Sequence, residues 1–365
     1  MQEIKDNPDL ELQIVATGTH LSPEFGLTYR AIEEDGFIID RKVEILTSSD
    51  TAVGLAKSAG LGLIGFADAL CELRPSILLV LGDRYEAFSA VFAALPAKIP
   101  VAHIHGGEVT EGAIDEAIRH SITKMSHLHF VATEAYKHRV IQLGENPNNT
   151  FVVGALGIDN IYKTPLLSRE ELESSINFKL AEKNLLITFH PATTEAAPPD
   201  RQLDQLLAAL GELKNTNFIF TLPNADTSSR AISQSIQTFA STRKNARIYD
   251  SLGQLRYLSC IAHVDAVVGN SSSGIIEAPS LKTPTINIGD RQRGRLIADS
   301  VINCPPEKSS IEAALKKIYT PDFRLTVKNT VNPYGTGGAS KFITTILGSF
   351  PLNDLVKKSF HDMAQ

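Results

Sequence analysis

Short apolar runs rich in β-branched residues alternate along the whole chain with longer amphipathic stretches. The runs predict strands at Leu12–Ala16, Ile77–Leu81, Val101–His105, His129–Ala132, Phe151–Val153, Leu185–Phe189, Asn217–Leu222, Ala246–Ile248, Ala266–Val268, Thr285–Ile288 and Ser300–Asn303. The stretches predict helices at Ser48–Leu73, Tyr85–Leu95, Ile114–Met125, Glu134–Leu143, Asp200–Leu213, Thr227–Ser241, Ser309–Ile318 and Ala339–Leu347. Such alternation indicates parallel sheets, because parallel neighbours need a long crossover between them. Two successive series predict an α/β protein with two doubly wound, Rossmann-like domains.

The two series meet near Asn160–Ser168, where NIYKTPLLS mixes turn-forming residues with a proline. We therefore predict a first domain over 1–163, a second over 164–338, and a C-terminal helix within 339–365 that packs back on the first domain. Ligands of open parallel sheets bind beyond the carboxyl ends of the strands. The residues that directly follow each strand are therefore the candidates for binding and catalysis.

The composition is that of a globular protein, with 43% hydrophobic and 21% charged residues in a chain of 365. A formal net charge of −6 argues against nucleic acid or an acidic membrane as a partner. No apolar run approaches the ~18 residues of a membrane span, and the start, MQEIKDNPDLELQ, is too polar for a secretory signal. The cysteines Cys71, Cys260 and Cys304 form neither a metal motif nor a disulfide framework. We expect a cytoplasmic protein without a metal or other cofactor.

Two predicted strands in the first half end in carboxylates. ILLVLGDRYE places Asp83, Arg84 and Glu86 after one strand, and HIHGGE places Glu108 after the next. Asp83 could accept a proton or orient a hydroxyl group, with Arg84 holding its carboxylate in position. Alternatively, Asp83 could be a helix N-cap, with an ordinary ion pair at the surface. Glu108 alone is equally compatible with a solvated turn. A pair of strand-end carboxylates favours acid–base chemistry, which needs two groups with separated pKa values.

The next stretch, TEGAIDEAIRHSITKMSHLHF, predicts a helix with charged pairs on shared faces. Asp115 and Arg119 are spaced i, i+4, as are Glu116 and His120. Ordinary helix stabilisation produces the same pattern, with acidic residues in the first turn. Histidines are dense in this region, at His103, His105, His120, His127 and His129. Their irregular spacing is not a metal pattern, and burial in the neutral form would explain some of them.

The second half carries the strongest indication of an anion site. AVVGNSSSGIIEAPS runs from a strand through Ser271, Ser272, Ser273 and Gly274 into a helix that carries Glu277. Backbone N–H groups and hydroxyls at a helix start bind phosphate, and small side chains let it approach closely. Serine-rich helix capping is the simpler alternative. Glu277 stands where a carboxylate could accept hydrogen bonds from both hydroxyls of a ribose.

Three further runs extend this possible phosphate site. INIGDRQRGR supplies Arg291, Arg293 and Arg295, whose planar guanidinium groups suit phosphate, although a solvated basic loop has the same composition. LLITFHPAT ends a strand at His190, which could hold a phosphate or sugar oxygen or could merely end the strand. NPYGTGGAS is a glycine-rich turn before the last helix, either a linker or a nucleotide contact.

Five runs resemble, in order and spacing, the hydrolysing UDP-N-acetylglucosamine 2-epimerases of sialic acid and related nonulosonate pathways. They are GDRYEA, HIHGGEVTEGAIDEAIRHSITKMSHLHF, GNSSSGIIEAP, INIGDRQRGR and NPYGTGGAS. The resemblance covers nearly the whole chain, and the HGGE turn is typical of this branch rather than of the non-hydrolysing epimerases. It implies a glycosyltransferase-B-like fold, a homo-oligomer, and conversion of UDP-N-acetylglucosamine and water to N-acetylmannosamine and UDP through a glycal. One departure is that the family's opening strand and GTR-type turn have no counterpart before LQIVATGTH. A sheet strand and an arginine near the diphosphate are therefore expected to be missing.

The resemblance and the residue patterns together give the candidate site residues; the resemblance itself implies Asp83, Glu108, Asp115, His190, Ser271, Ser272, Glu277 and Arg291. The catalytic candidates are Asp83, Glu108, Asp115 and His190. The candidates for binding the UDP-sugar are Arg84, Arg119, Ser271, Ser272, Ser273, Gly274, Glu277 and Arg291. The first domain would act on the sugar while the second holds UDP. The alternatives are the same reaction on a UDP-2,4-diacetamido-6-deoxy sugar, as in legionaminic acid synthesis, a UDP-sugar glycosyltransferase, or an inactive nucleotide-sugar binder with a shortened N-terminus.

Overall fold

A computed structural model describes residues 1–47, 51–110, 114–190, 199–222 and 229–363. These residues form two compact units. The first contains 1–47, 51–108, 114–154 and 338–363, and the second contains 109–110, 155–190, 199–222 and 229–337. The helix Leu156–Lys163, which the sequence prediction assigned to the first domain, buries Ile161 in the core of the second unit. The chain returns to the first unit at Gly338, just before its last helix.

The first unit contains two parallel sheets. Its strands are β1 (Val15–Thr17), β2 (Arg41–Val43), β3 (Leu78–Leu81), β4 (Val101–Ile104), β5 (Leu128–Val131) and β6 (Thr150–Val152). Its helices are α1 (Gln2–Lys5), α2 (Tyr29–Glu34), α3 (Ala52–Leu73), α4 (Tyr85–Ala94), α5 (Ile114–Met125), α6 (Glu134–Gln142) and, after the second unit, α15 (Ala339–Ser349). Strand β1 pairs with β2, while β3, β4, β5 and β6 form the other sheet in that order. Both sheets share one apolar core, to which Val43, Phe66 and Val80 belong.

The second unit is built on one six-stranded parallel sheet. Its strands are β7 (Lys183–Thr188), β8 (Thr216–Thr221), β9 (Ala246–Tyr249), β10 (Ala266–Gly269), β11 (Thr285–Ile288) and β12 (Val301–Cys304). Its helices are α7 (Leu156–Lys163), α8 (Arg169–Ser175), α9 (Pro199–Gly211), α10 (Ser229–Ser241), α11 (Gly253–His263), α12 (Ser273–Ile276), α13 (Lys308–Lys317) and α14 (Pro321–Asn329). The strand order is β12-β11-β10-β7-β8-β9. The winding therefore reverses between β7 and β10, which is where doubly wound sheets bind their ligands.

Strand β7 shows why this sheet is stable. Successive side chains of a strand point to opposite faces. Leu185 and Ile187 enter the apolar core on one face, and Leu186 enters the core on the other, all with no exposed surface. Each such burial contributes about 1.5–3 kcal/mol of transfer free energy. A sheet covered on both faces by helices is the usual setting of parallel strands, and it explains the continuous apolar runs of the sequence.

The predicted α/β class with parallel sheets is confirmed, and every predicted strand is present with ends shifted by a few residues. Strand β2 was not predicted, because Arg41 and Lys42 are exposed and the segment lacks an apolar run. Helix α5 has the predicted bounds, Ile114–Met125. The predicted starts of two other helices, at Ser48 and Thr227, lie outside the described residues.

Helix α3 qualifies the expectation that nothing in the chain is apolar enough to cross a membrane. Among the described helices it alone is long and apolar enough by length and composition, and about a third of its apolar stretch is buried. Core helices of soluble proteins meet the same criteria. Gly62 and Gly65 of α3 lie close to Ser89 and Val43, where a larger side chain would collide. This close packing ties the helix to α4 and β2 of the first unit.

Candidate active site

The neighbouring strands β3 and β4 bring the two predicted strand-end carboxylates to one edge of their sheet. The strands run parallel in register, and the N–H of Gly82 donates to the Ile104 carbonyl at 3.0 Å. Asp83 follows β3 directly, and Glu108 follows the turn after β4. Their side chains are 27% and 9% exposed. Both acids are therefore partly withdrawn from water, as acid–base groups need to be.

A buried arginine, Arg119 of α5, connects these acids. Its side chain is 2% exposed, and its Nη2 forms an ion pair with Asp83. Its Nη1 donates to Oε2 of Glu116 at 2.7 Å and to the backbone carbonyl of Glu108 at 3.0 Å. A guanidinium has a planar fork of donors that a lysine lacks. The arrangement of Asp83, Glu108 and Glu116 therefore depends on this one side chain.

Asp115, the third predicted catalytic acid, lies in the electrostatic field of this group. Burial raises its pKa, the negative charge of Asp83 raises it further, and Arg84 and Arg119 act in the opposite direction. Asp115 is thereby favoured as a proton donor.

Two suggested pairings in this region are wrong. Arg84 does not anchor Asp83: its side chain is 62% exposed and pairs with Glu86 at 3.3 Å, because it points to the solvent side of α4. Arg119 pairs with Glu116 at i, i+3 instead of with Asp115 at i, i+4, because its guanidinium turns inward to Asp83. The predicted pair of Glu116 and His120 is present, with Oε1 and Nε2 3.0 Å apart.

His103 in β4 and His105 directly after it have different roles. His103 has no exposed surface, and burial lowers its pKa to about 3, so the neutral ring donates from Nε2 to the Gly82 carbonyl at 2.8 Å. It thus fixes the turn that carries Asp83. His105 has φ of 66°, and its Nδ1 lies 2.6 Å from Oε1 of Glu108. His105 therefore contacts a predicted catalytic acid, whereas His103 supports the backbone.

In the second unit, the neighbouring strands β7 and β10 carry the predicted anion-binding residues at the switch point of the sheet. Gly269 ends β10 with φ of 134°, and an added Cβ would collide with the Thr188 carbonyl. Asn270 follows, with no exposed surface. Its Oδ1 accepts from the N–H of His190 at 2.7 Å, and its Nδ2 donates to the His190 carbonyl at 2.8 Å. Asn270 therefore fixes the backbone of His190 across the two strand ends.

The loop after β11, which carries Arg291 and Gln292, also contacts Asn270. Nη1 of Arg291 donates to the Asn270 carbonyl at 3.0 Å, and Nε2 of Gln292 donates to it at 2.8 Å. His190, Asn270 and Arg291, although distant in sequence, are thus linked by hydrogen bonds. A histidine and an arginine beside a serine turn provide donors and positive charge for an oxyanion without a metal. Among the described residues, no group of three or more His, Cys, Asp and Glu side chains is arranged to hold a metal ion.

The three serines form the turn between β10 and α12. Ser272 is the N-cap of the four-residue helix α12, but its side chain makes no capping hydrogen bond. Oγ of Ser271 lies 3.2 Å from Oγ of Ser273 and accepts from the backbone N–H of Ser273 at 3.4 Å. The next turn is a 3-10 helix at Ala278–Leu281, with Pro279 in its first turn. Serine capping of the helix start therefore stays an alternative to an anion site.

Glu277 lies at the end of α12, beside the backbone of Gly157. Burial raises its pKa, and Arg295 acts against the rise. Its Oε2 is buried and makes no hydrogen bond within the described part of the chain. A buried carboxyl oxygen without a donor is costly, because it has lost its water. Glu277 is thus suited to receive hydroxyl donors of a ligand.

The sequence pattern of the family described as UDP-N-acetylglucosamine 2-epimerase matches residues 2–348. The chain belongs to this family. It is 43% identical, over 99% of this chain and 94% of the relative, to the GDP/UDP-N,N'-diacetylbacillosamine 2-epimerase (hydrolyzing) of Campylobacter jejuni. It is 41% identical to the polysialic acid biosynthesis protein P7 of Escherichia coli, over 91% of this chain and 84% of the relative. A crystal structure of UDP-GlcNAc 2-epimerase from Neisseria meningitidis, bound to UDP-GlcNAc, superposes with a TM-score of 0.81 over 95% of this chain and 94% of that one, at 22% identity.

These similarities confirm the predicted family, the glycosyltransferase-B-like fold and the prediction of an epimerase. The predicted roles of the site residues in the epimerase stay predictions. Sequence reasoning did not single out Glu116 or Asn270 as site residues, although both connect predicted ones. A signal for Asn270 was available, since an asparagine directly after a buried strand stands at the ligand-binding edge of the sheet.

Proposed function

We propose that this chain is a hydrolysing UDP-sugar 2-epimerase that releases UDP while inverting C2 of an N-acetylated sugar. The observation that carries the proposal is the buried Arg119 that joins Asp83, Glu116 and the Glu108 backbone at one sheet edge, with Asp115 nearby. Inversion at C2 requires one group to remove a proton and another to deliver one on the opposite face. The first unit supplies such a set of acids with differing environments.

The second unit is proposed to hold the UDP half of the substrate. Its sheet places His190 and Ser271 at the switch point, and Asn270 links His190 to Arg291. These donors suit a diphosphate, while the unpaired oxygen of Glu277 suits ribose hydroxyls. The Neisseria meningitidis epimerase, which has the same fold, was crystallised with UDP-GlcNAc bound, and this supports a nucleotide-sugar ligand here.

The proposed reaction is an elimination followed by hydration. The hydrogen on C2 is not next to a carbonyl, so direct deprotonation is difficult. Instead, the C1–O bond to UDP breaks with its electron pair leaving on the phosphate, while a carboxylate takes H2 and a C1–C2 double bond forms. Water then adds its oxygen to C1 and gives up a proton to a carboxylate, while an acid gives a proton to C2 from the other face. Donors around the departing diphosphate stabilise its charge where it develops.

The environments of the acids suggest how the proton transfers are divided. We assign removal of H2 to Asp83, whose side chain forms an ion pair with Arg119. We assign delivery of the proton to C2 to Asp115, whose pKa burial and Asp83 raise. To Glu108, which is hydrogen-bonded to His105, we assign stabilisation of the positive charge that develops at C1.

The substrate we favour is a UDP-2,4-diacetamido-6-deoxy sugar. The Campylobacter jejuni relative, at 43% identity over nearly the whole chain, is named for N,N'-diacetylbacillosamine, a sugar of this class. UDP-N-acetylglucosamine, the first choice from the sequence, is the second candidate, and the similarity to a polysialic acid biosynthesis protein supports it.

NMR of the purified protein with each UDP-sugar separates these possibilities. We expect free UDP and a free 2-epimeric sugar in equal amounts, with a higher kcat/KM for the diacetamido sugar. A 2-epimer that stays attached to UDP would indicate a non-hydrolysing epimerase. UDP release only in the presence of an acceptor would indicate a glycosyltransferase, and UDP binding without turnover would indicate a nucleotide-sugar binder.

A further inference from the structure

A buried tyrosine hydroxyl beside the serine turn lacks a hydrogen-bond partner. Tyr257 lies on α11, and its ring packs against the apolar core of the second unit. Its Oη is buried, and no nitrogen or oxygen of the described residues forms a hydrogen bond with it. Most buried hydroxyls in folded proteins are paired, since an unpaired one destabilises the protein. The hydroxyl of Tyr257 is thus available to a hydrogen-bond partner from a ligand.

The surroundings of this hydroxyl are those of the proposed phosphate site. Burial raises the pKa of Tyr257, and hydrogen bonding toward the side chains of Ser273, Thr188 and Ser271 acts against the rise, although none of these contacts has full hydrogen-bond geometry. At neutral pH the phenol is therefore uncharged and able to donate. Thr188 ends β7 and Ser271 follows β10, so the tyrosine lies at the switch point of the sheet. Nothing in the sequence pattern of α11 distinguished this residue from an ordinary core aromatic.

The second unpaired atom nearby, Oε2 of Glu277, has the opposite hydrogen-bonding character. A carboxylate accepts, whereas a neutral phenol next to serine hydroxyls donates. The charge of Glu277 also acts on Tyr257 and raises its pKa. A ligand that satisfies both atoms needs hydroxyl donors at one part and acceptor oxygens at another. A nucleoside diphosphate has both, in its ribose and in its phosphates.

We propose that the Tyr257 hydroxyl donates a hydrogen bond to a phosphate oxygen of the bound nucleoside diphosphate, next to Ser271 and Ser273. This inference rests on the proposed function and deepens it by adding a ligand-contacting residue. The phenol holds its hydrogen bond in a site without competing water, so it contributes to binding and to the stability of the departing diphosphate.

The test is the Tyr257→Phe variant, which removes only the hydroxyl oxygen. We expect UDP affinity, measured by calorimetry, to fall roughly tenfold to a hundredfold, the effect of one hydrogen bond to a charged group. The affinity for uridine, which lacks phosphate and is measured by ligand-observed NMR, should change less than twofold. The thermal midpoint of the free protein should stay the same or rise, because the variant removes an unpaired buried group.

The matched control is Tyr249→Phe in the same unit. The Tyr249 hydroxyl donates to the Ile176 carbonyl at 2.7 Å, so this variant should lower the thermal midpoint and leave UDP affinity unchanged. Unchanged UDP affinity in Tyr257→Phe, equal losses for uridine and UDP, or a drop in thermal midpoint as large as the control's would each overturn the inference. Failure of the unmodified protein to bind UDP would instead overturn the proposed function.

Discussion

The carboxylate of Glu145 is the centre of a buried charge cluster in the first unit, and replacing it should destabilise that unit strongly. Its side chain is 1% exposed. Oε1 lies 2.9 Å from Nζ of Lys124, and Oε2 lies 2.9 Å from Nε2 of His129 and 2.5 Å from Nζ of Lys358. Lys358 belongs to the C-terminal segment, so its ion pair with Glu145 also holds this segment against the first unit. Glu145→Gln keeps the shape of the side chain but leaves two ammonium groups without their counter-charge.

The expected loss follows from the pKa of Glu145. Burial alone would raise it, but the hydrogen bonds and charges of His129, Lys124 and Lys358 outweigh burial and lower it from 4.5 to about 2. At about 1.36 kcal/mol per pKa unit, this lowering corresponds to about 3–4 kcal/mol, which partial screening by water reduces to about 2–3 kcal/mol of unfolding free energy at neutral pH. Because the folded pKa is lowered, the contribution is complete above about pH 4.5 and is lost as the pH falls through 2. It should be about half gone at pH 3.

Urea unfolding followed by circular dichroism measures this effect. Glu145→Gln should lower the unfolding free energy by about 2–3 kcal/mol at pH 7, and the deficit should shrink toward pH 3. The control is Asp354→Asn on the same C-terminal segment, where the pair with Lys357 is 75% and 77% exposed, and its effect should stay within about 0.5 kcal/mol. A deficit for Glu145→Gln below about 1 kcal/mol, or one that is constant between pH 7 and pH 3, would refute the reasoning.

Two further predictions concern the site. Asp83→Asn should abolish UDP release, because the carboxylate assigned to take H2 is lost. Asp115→Asn should release UDP and accumulate the glycal, and ³¹P and ¹H NMR distinguish the two outcomes. The same product pattern from both variants would contradict the assignment of the two acids. Asn270→Ala should lower the unfolding free energy by about 2–3 kcal/mol and weaken UDP binding at least tenfold, since the backbone N–H and carbonyl of His190 lose their side-chain partner. Calorimetry and urea unfolding check both effects, and unchanged UDP affinity would contradict the role of Asn270 in fixing His190.

The fold was largely predictable from the sequence because parallel strands buried on both faces are continuous apolar runs. Leu185, Leu186 and Ile187 show this, since neighbours that point to opposite faces are all fully buried. Strand β2 escaped prediction for the converse reason. Arg41 and Lys42 are exposed, and the strand is defined by its pairing with β1 rather than by its own composition.

The rule that ligands bind beyond the carboxyl ends of parallel strands located the acids and the serines. It did not predict the hydrogen-bond and ion-pair partners of these residues. Arg119 could have paired with Asp115 on the helix surface, and only the packed structure shows that it turns inward to Asp83. Asn270 binds a residue 80 positions away, and no local pattern reports such a contact. Tyr257 looks like a core aromatic in sequence, since its special feature is the absence of a partner among the described residues of the folded unit.

Turnover in D2O, with the sugar and the nucleotide followed together by NMR, tests the central claim most directly. Hydration of a glycal draws the new hydrogen at C2 from solvent, so each released sugar should carry one deuterium at C2 and should appear with one equivalent of free UDP. A 2-epimeric product that retains protium at C2 would contradict elimination and hydration by this epimerase.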